Sequence, residues 1–259
     1  MSTLLVQENS YKKNHKNVIM ACHITGIYDV NRSAVLSNDD YSLVKNWADS
    51  IIDLKLRGII FHTNFSEETC QKYQNEYINF VKVDYDSRFN PNTYRYLVYQ
   101  NYLQNHSHEI ENLFLTDISD VVVLQNPFLH SFYLQNKDVI FCGDEPKPLH
   151  NEWMQNHSEH LRSKITDYAD YEEKFSDSTL LNCGIVGGSL TIMRELIEKL
   201  ATLHRLYNHD NKTTYTGDMG AFNYLIHTEF NDRFFHGKPI NTVFKEYQEP
   251  RTDCWFRHK

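Results

Sequence analysis

Apolar and polar positions fall in blocks along the chain. Short apolar runs, "NVIMACHITGI" (17–27), "IIFHTNF" (59–65), "INFVKVD" (78–84) and "NLFLTD" (112–117), are each bounded by polar or glycine-containing segments, the pattern of buried strands. Between them the spacing turns helical. In "DDYSLVKNWADSIIDLKLRG", Leu43, Trp47, Ile51 and Leu54 recur at helical intervals, with Asp39 or Asp40 as N-cap and Gly58 as the stop. "SEETCQKYQNEY" opens like a capping box, Ser66 and Thr69 preceding the helical spacing. "NPNTYRYLVYQNYLQNH" (90–106) is a Tyr-rich helix. Strands alternating with helices imply parallel pairing through right-handed crossovers, an α/β plan. Ligands on such sheets sit at the carboxyl ends of the strands, and Asp117 stands at one of them.

The second half is less regular. "DVIFCGDEP" (138–146) reads as a strand with Glu145 and Pro146 beyond its end, and 147–178 as helical turns over the sheet. "TLLNCGIVGGS" (179–189) is a strand whose glycines allow close backbone approach. "LTIMRELIEKLATLHRLY" is an amphipathic helix, "GDMGAFNYLIH" (217–227) a shorter one, and "CWFRHK" (254–259) a final strand. Residues 1–16 read as a polar leader. Residues 17–259 carry no repeat, low-complexity segment or linker, and read as one domain.

Composition narrows the partners. Hydrophobic residues at 41% and charged ones at 23% suit an ordinary globular chain. A net charge of −8 argues against nucleic acid, and means that a polyanionic ligand needs a metal ion or a few well-placed basic groups. The five cysteines are scattered without a CxxC pair, which suits free thiols in a reducing compartment. There is no secretory h-region and no run approaching ~20 apolar residues, so the expectation is a cytoplasmic protein without a transmembrane segment.

The stretch "LFLTDISDVVVLQNPF" (113–128) sets two aspartates into what would otherwise be one apolar run. An unpartnered buried charge costs several kcal/mol, so these carboxylates must meet water, a cation or a local hydrogen bond. In a straight strand Asp117 and Asp120 would point to opposite faces. In a tight turn, residues three apart approach to within ~7 Å and the carboxylates converge. Two readings stand: a Mg²⁺ or Mn²⁺ site with positions open for phosphate oxygens, or an Asx-turn in which Asp117 bonds the Ser119 amide and Asp120 is solvated.

Taken with "LLNCGIVGG" and "GDMGAFNYL", this stretch resembles, in order and spacing, the motifs of GT-A-fold glycosyltransferases, closest to the retaining galactosyl- and xylosyltransferase-like group. The resemblance covers residues 17–259. It implies an α/β, single Rossmann-like GT-A domain with a mostly parallel central sheet flanked by helices, a donor-binding half to about residue 128 and an acceptor-side half beyond. It further implies Mn²⁺- or Mg²⁺-dependent transfer from a UDP-sugar, galactose-like favoured, to a glycan or glycolipid acceptor, with retention favoured. A signal-free chain of this kind points to bacterial or viral surface polysaccharide synthesis in the cytoplasm, with peripheral membrane contact.

The family aspartate motif is usually D-x-D, whereas this chain has D-x-x-D. Aligning on "NPF" puts Asp120 on the second family aspartate and Ile118 on the first, which makes Asp120 the metal ligand and Asp117 its partner, through water or the donor ribose. The family's late histidine ligand and diphosphate lysine have two candidates, His258 with Lys259 and His236 with Lys238, and His258 ranks first because it follows a strand. Most of the 14 histidines are bystanders; His204 and His209 read as a helix end. Thr25, Gly26 and Tyr28 would contact the uracil and Arg32 the phosphates, against an ordinary βα loop. Arg95 would face the diphosphate or fix an aspartate, since its planar fork suits both, against a solvated helical arginine. Asn182, Gly184 and Gly187 would line the acceptor side. Trp153, and Tyr215 with it, would stack on a sugar, against the default of a buried Trp. Asp218 is an N-cap by position, and the resemblance carries it to the reacting sugar as the catalytic carboxylate.

Three rivals remain. A HAD-type phosphatase wants aspartates two apart near the first strand. A sugar-1-phosphate nucleotidyltransferase wants a Gly- and basic-rich loop, where "ACHITGIYDVNR" has one glycine and no lysine. A degenerate GT-A domain would bind a nucleotide sugar or glycan without turnover.

Overall fold

The computed structural model describes residues 16–29, 34–209, 217–246 and 253–259. The strands are β1 (Asn17–His23), β2 (Tyr28–Asp29), β3 (Ala34–Val35), β4 (Arg57–His62), β5 (Ile78–Lys82), β6 (Asn112–Thr116), β7 (Val121–Val123), β8 (Ile140–Pro148), β9 (Thr179–Ser189), β10 (Phe234–His236) and β11 (Phe256–His258). The α-helices among the described residues are α1 (Ser42–Asp53), α2 (Glu67–Tyr73), α3 (Pro91–His106), α4 (Ser131–Gln135), α5 (Glu152–Arg162), α6 (Tyr168–Lys174), α7 (Leu190–Tyr207) and α8 (Asp218–Glu229).

Seven strands form the central sheet in the order β10-β8-β9-β6-β1-β4-β5. The pairings β10–β8, β6–β1, β1–β4 and β4–β5 are parallel, and β9 runs antiparallel to both β6 and β8. The sheet is thus mostly parallel and flanked by helices, with one reversed strand near its middle. Residues 180–188 of β9 are all buried, as a strand covered on both faces must be. Gly187 lies opposite Phe114 in register, and a Cβ there would come within 2.2 Å of Phe114 Cδ1. That glycine lets an aromatic ring cross the strand.

Each face of the sheet carries its own core. One packs Met20, Phe61 and Leu115 against Tyr96, Tyr99 and Leu103 of α3 and Leu196 and Leu200 of α7. The other packs Ile19, Ile60 and Phe114 against Trp47 and Ile51 of α1, with Trp255 and Phe256 closing it. Burying each such side chain contributes roughly 1.5–3 kcal/mol. Trp47 also donates its indole N–H to Thr116 Oγ1 at 2.7 Å. This bond fixes α1 to the last residue of β6, where the aspartate stretch begins.

Several local expectations are revised. Gly58 does not end α1. The left-handed turn is made by Lys55 (φ 54°), while Gly58 sits inside β4, where a Cβ would meet Ile78, Ile51 and Trp47. Asp40 accepts the Ser42 amide ahead of α1, at 2.9 Å. Asp39 accepts instead from Ser66 N–H at the head of α2, where Ser66 Oγ caps Thr69 as its spacing predicts. Glu145 and Pro146 lie within β8 rather than past it. Of the polar leader, residues 1–15 lie outside the described residues, and Lys16 pairs with Glu111. All five cysteines are free. Among the described residues no helix is long and apolar enough to cross a membrane.

Candidate functional site

The interruption in "LFLTDISDVVVLQNPF" marks a change of sheet. β6 ends at Thr116, and Asp117 N–H adds one more bond to its neighbour by donating to Gly184 O at 2.8 Å. The chain then turns through Ile118, Ser119 and Asp120 and leaves as β7, which pairs antiparallel with β11 and sets Val121 opposite His258. Lys259 N–H donates to Asp120 O at 2.9 Å. The last residues of the chain therefore lie along the aspartate turn.

Asp117 does not form the Asx-turn. Its Oδ1 is ion-paired with Arg95 Nη1. Ser119 gives its hydroxyl to Asp120 Oδ1 at 2.9 Å. Arg95 is only 8% exposed, so the solvated-arginine alternative is set aside. Its Nη2 faces Asp218 Oδ2 at 3.4 Å and donates to Cys183 O at 3.3 Å. A buried guanidinium is tolerated only when paired and hydrogen-bonded, and here one fork joins two carboxylates from opposite halves of the chain.

Asp117 Oδ2 remains, 3.8 Å from His258 Nε2. Burial pushes the His258 imidazole below its ordinary pKa, while Asp117 and Asp120 pull it partly back. The ring is therefore neutral near pH 7, and its buried Nδ1 has no hydrogen-bond partner. Phe244 packs edge-on against it, with ring centroids 4.6 Å apart. Glycine at 184 makes the convergence possible. A Cβ there would lie 2.5 Å from His258 Cε1, 2.7 Å from Asp117 Oδ2 and 2.9 Å from Asn182 Oδ1. Asn182 accepts the Gly184 amide at 2.7 Å and donates to Glu145 Oε1 at 2.8 Å. Burial raises the Glu145 carboxyl above the usual range, partly offset by that Asn182 bond and by Lys147 and Lys245.

These groups open on a cleft of about 460 Å³. The structure brings Tyr28, Arg95, Asp117, Asp120, Trp153, Asn182, Gly184, Asp218, His258 and Lys259 into its lining. Trp153 is 41% exposed rather than buried, and its ring stacks on His157 with centroids 3.4 Å apart. The lining excludes Thr25, Gly26, Gly187, His236 and Lys238. Thr25 is buried behind it, bonded to Thr63 and Asn64. Gly26 (φ 77°) makes the turn ahead of β2 and donates to Leu36 O at 3.2 Å. Gly187 lies under Phe114, His236 sits 2.9 Å from Asp144, and Lys238 pairs with Asp253 at 2.8 Å. Arg32 and Tyr215 lie outside the described residues.

Sequence reasoning missed Glu145, Lys147, His157 and Lys245, all of which line the cleft. Glu145 carried a signal, a carboxylate at the end of an apolar run as at Asp117. Lys245 carried none. Among the described residues no three His, Cys, Asp or Glu side chains are gathered closely enough to hold a metal ion alone. Asp117 and His258 form a pair, with Asp120 on the same turn.

The sheet and the cleft at its carboxyl ends define the class of fold, a single Rossmann-like GT-A domain. Among solved structures the chain is similar to the galactosyltransferase LgtC in complex with donor and acceptor sugar analogues, with a TM-score of 0.51 over 93% of this chain and 86% of that one. Sequence identity is 11%, so the likeness speaks for the fold. No family model and no curated protein matches the sequence.

Proposed function

We propose that the protein is a glycosyltransferase that moves a sugar from a UDP-sugar, galactose-like favoured, to a glycan or glycolipid acceptor, with Mn²⁺ or Mg²⁺ at the diphosphate. One observation carries the reading: Asp117, Asp120 and His258 meet in a cleft where Arg95 ties Asp117 to Asp218. The charge balance supports the metal. The lining holds four carboxylates (Asp117, Asp120, Glu145, Asp218) and four cations (Arg95, Lys147, Lys245, Lys259), so the side chains leave a bound diphosphate uncompensated. A divalent cation removes the deficit and, when bound, stabilises the leaving diphosphate as a Lewis acid. The donor set fits: hard oxygens with a neutral imidazole, Asp117 Oδ2 and Asp120 beside His258. Such ions use one or two carboxylates and complete their shell from substrate phosphates.

Each side chain then has a task. Lys259 and Lys245 neutralise phosphate oxygens as point charges. Tyr28, 58% exposed at the cleft, offers its ring to the base, and Trp153 on His157 offers an apolar face to the acceptor sugar. Asp218, held by Arg95, faces the reacting sugar. Retention is favoured, the leaving phosphate taking the acceptor's proton on the same face. The setting is surface polysaccharide synthesis on the cytoplasmic side of a membrane. A thermal-shift series with UDP and UDP-sugars, with and without Mn²⁺, tests the reading. Mn²⁺ or UDP alone moves the melting temperature little and the two together raise it, because each completes the other's site. No shift with any nucleotide sugar in Mn²⁺, and no UDP release on turnover, overturns it.

A further inference from the structure

A buried polar circuit runs behind the cleft. Arg95 Nη2 faces the Tyr96 hydroxyl at 3.5 Å, and the Tyr96 ring stacks on His204 with centroids 5.4 Å apart. His204 is fully buried at the end of α7 rather than an idle helix-end residue. Its Nδ1 accepts from Asn208 Nδ2 at 2.7 Å, and Asn208 Oδ1 in turn accepts from His160 Nε2 on α5. These partners fix both tautomers, His204 carrying its proton on Nε2 and His160 on Nε2 as donor. Burial lowers the pKa of both rings, His204 to about 3, so both are neutral near pH 7. The circuit closes through Gly217, the N-cap of α8 at φ 71°. A Cβ on Gly217 would lie 2.3 Å from His160 Cε1, 2.6 Å from His160 Nε2 and 3.1 Å from Asn208 Oδ1. The next residue is Asp218, whose carboxylate returns to Arg95.

We propose that His160, through its bond to Asn208 and its contact with Gly217, is a positioning residue for Asp218. The reasoning is geometric. Asp218 begins α8, so its carboxylate goes where the Gly217 backbone sends it, and that backbone rests on the His160–Asn208 pair. Asn208 is bonded on both sides, to His204 and to His160, while the His204 Nε2 proton is buried without a hydrogen-bond partner. Bonded neutral polar groups in such a setting stiffen the elements they join. A carboxylate facing a reacting sugar needs that rigidity, because a displacement of ~1 Å can lower the rate on the order of a hundredfold. Asn208 closes α7 while His160 and Tyr96 come from α5 and α3, so three helices fix the start of a fourth.

The inference rests on the proposed role of Asp218, and the experiment separates the two. Variants His160→Ala, His160→Gln, Gly217→Ala and Asp218→Asn are compared for the melting-temperature rise with Mn²⁺ and UDP, the additional rise with UDP-galactose, and kcat for UDP-galactose hydrolysis. His160→Ala and Gly217→Ala keep the UDP rise, lose the sugar's increment and drop kcat by about tenfold or more. His160→Gln, whose amide N–H reaches the same Asn208 oxygen, recovers most of both. Wild-type kcat in His160→Ala, or a His160→Gln variant no better than Ala, overturns the positioning role. If His160→Ala fails to fold, Gly217→Ala with wild-type increment and kcat overturns it equally. Full kcat in Asp218→Asn instead removes Asp218 from the reaction, and the positioning role with it.

Discussion

At the level of single residues, the cleft turns on which side-chain atoms are already engaged. Asp117 gives one oxygen to Arg95 and leaves the other toward His258, so its role is split between holding the arginine and facing the cleft. Asp120 lines the cleft on the same turn. Replacing Asp120 by Asn keeps its shape and removes its charge, and the expected outcome is loss of the Mn²⁺-dependent rise with UDP while the fold melts near its original temperature. An undiminished rise in that variant removes Asp120 from the metal. Gly184 is the stricter test of geometry. An alanine methyl would enter a space bounded within 3 Å by His258, Asp117 and Asn182. Crowding of this kind costs about 1–3 kcal/mol, and Gly184→Ala should lower the melting temperature and the Mn²⁺–UDP rise together. The aspartates were legible in the sequence because a carboxylate inside an apolar run demands a partner. That Arg95 would fix an aspartate was among the readings the resemblance gave. That it pairs with both Asp117 and Asp218 was not legible, since α3, the aspartate turn and α8 are brought together only by packing on the sheet.

At the level of elements, most of the parallel half could be read from the chain, because its strands are short apolar runs and β1, β4 and β5 lead on to helices with polar starts. The antiparallel course of β9 could not be read. A strand buried on both faces carries no alternation, and nothing in its own residues says which way it runs. The same ambiguity misplaced Gly58, which reads as a helix stop when only α1 is in view and as a packing glycine once Trp47 and Ile78 are brought over it. The pairing of β11 with β7 rests on contacts across more than a hundred residues, yet it delivers His258 and Lys259 to the aspartate turn. Deleting His258 and Lys259 removes a neutral imidazole and a cation from the cleft but leaves Trp255 and Phe256 in the core. The expected outcome is donor turnover reduced to background with a melting temperature lowered by only a few degrees. His236→Ala, on the edge strand β10 of the central sheet and beside Asp144, should turn over normally. Activity in the deletion with inactivity in His236→Ala would reverse the assignment of the two histidines.

For the molecule as a whole, burial of histidines sets an acid limit that neither composition nor net charge announces. His62 and His227 are held down to about 4, His204 to about 3, and His258 below its ordinary value, in every case chiefly by desolvation. An unfolded histidine titrates near 6.5. Between that value and the folded ones, the unfolded chain binds more protons than the native protein, so the stability of the fold rises with pH. The contribution is fully present above about 6.5 and is lost progressively as pH falls toward the folded values. The carboxylates work in a lower range: Asp39 and Asp86, held below their usual values by hydrogen bonds from Ser66 and Arg88, lose their contribution only as pH falls below the ordinary carboxylate range. Melting temperature measured from pH 8 to pH 5 should therefore be flat above neutrality and fall continuously below about 6.5, ahead of any carboxylate titration. His227→Phe, which keeps the stack on Phe175 and removes one of these imidazoles, should flatten that slope. A melting temperature unchanged down to pH 5 would mean that the buried rings accept protons without loss of the fold. It would also remove the basis for a neutral His258 facing Asp117, since the same desolvation holds that ring unprotonated in the cleft.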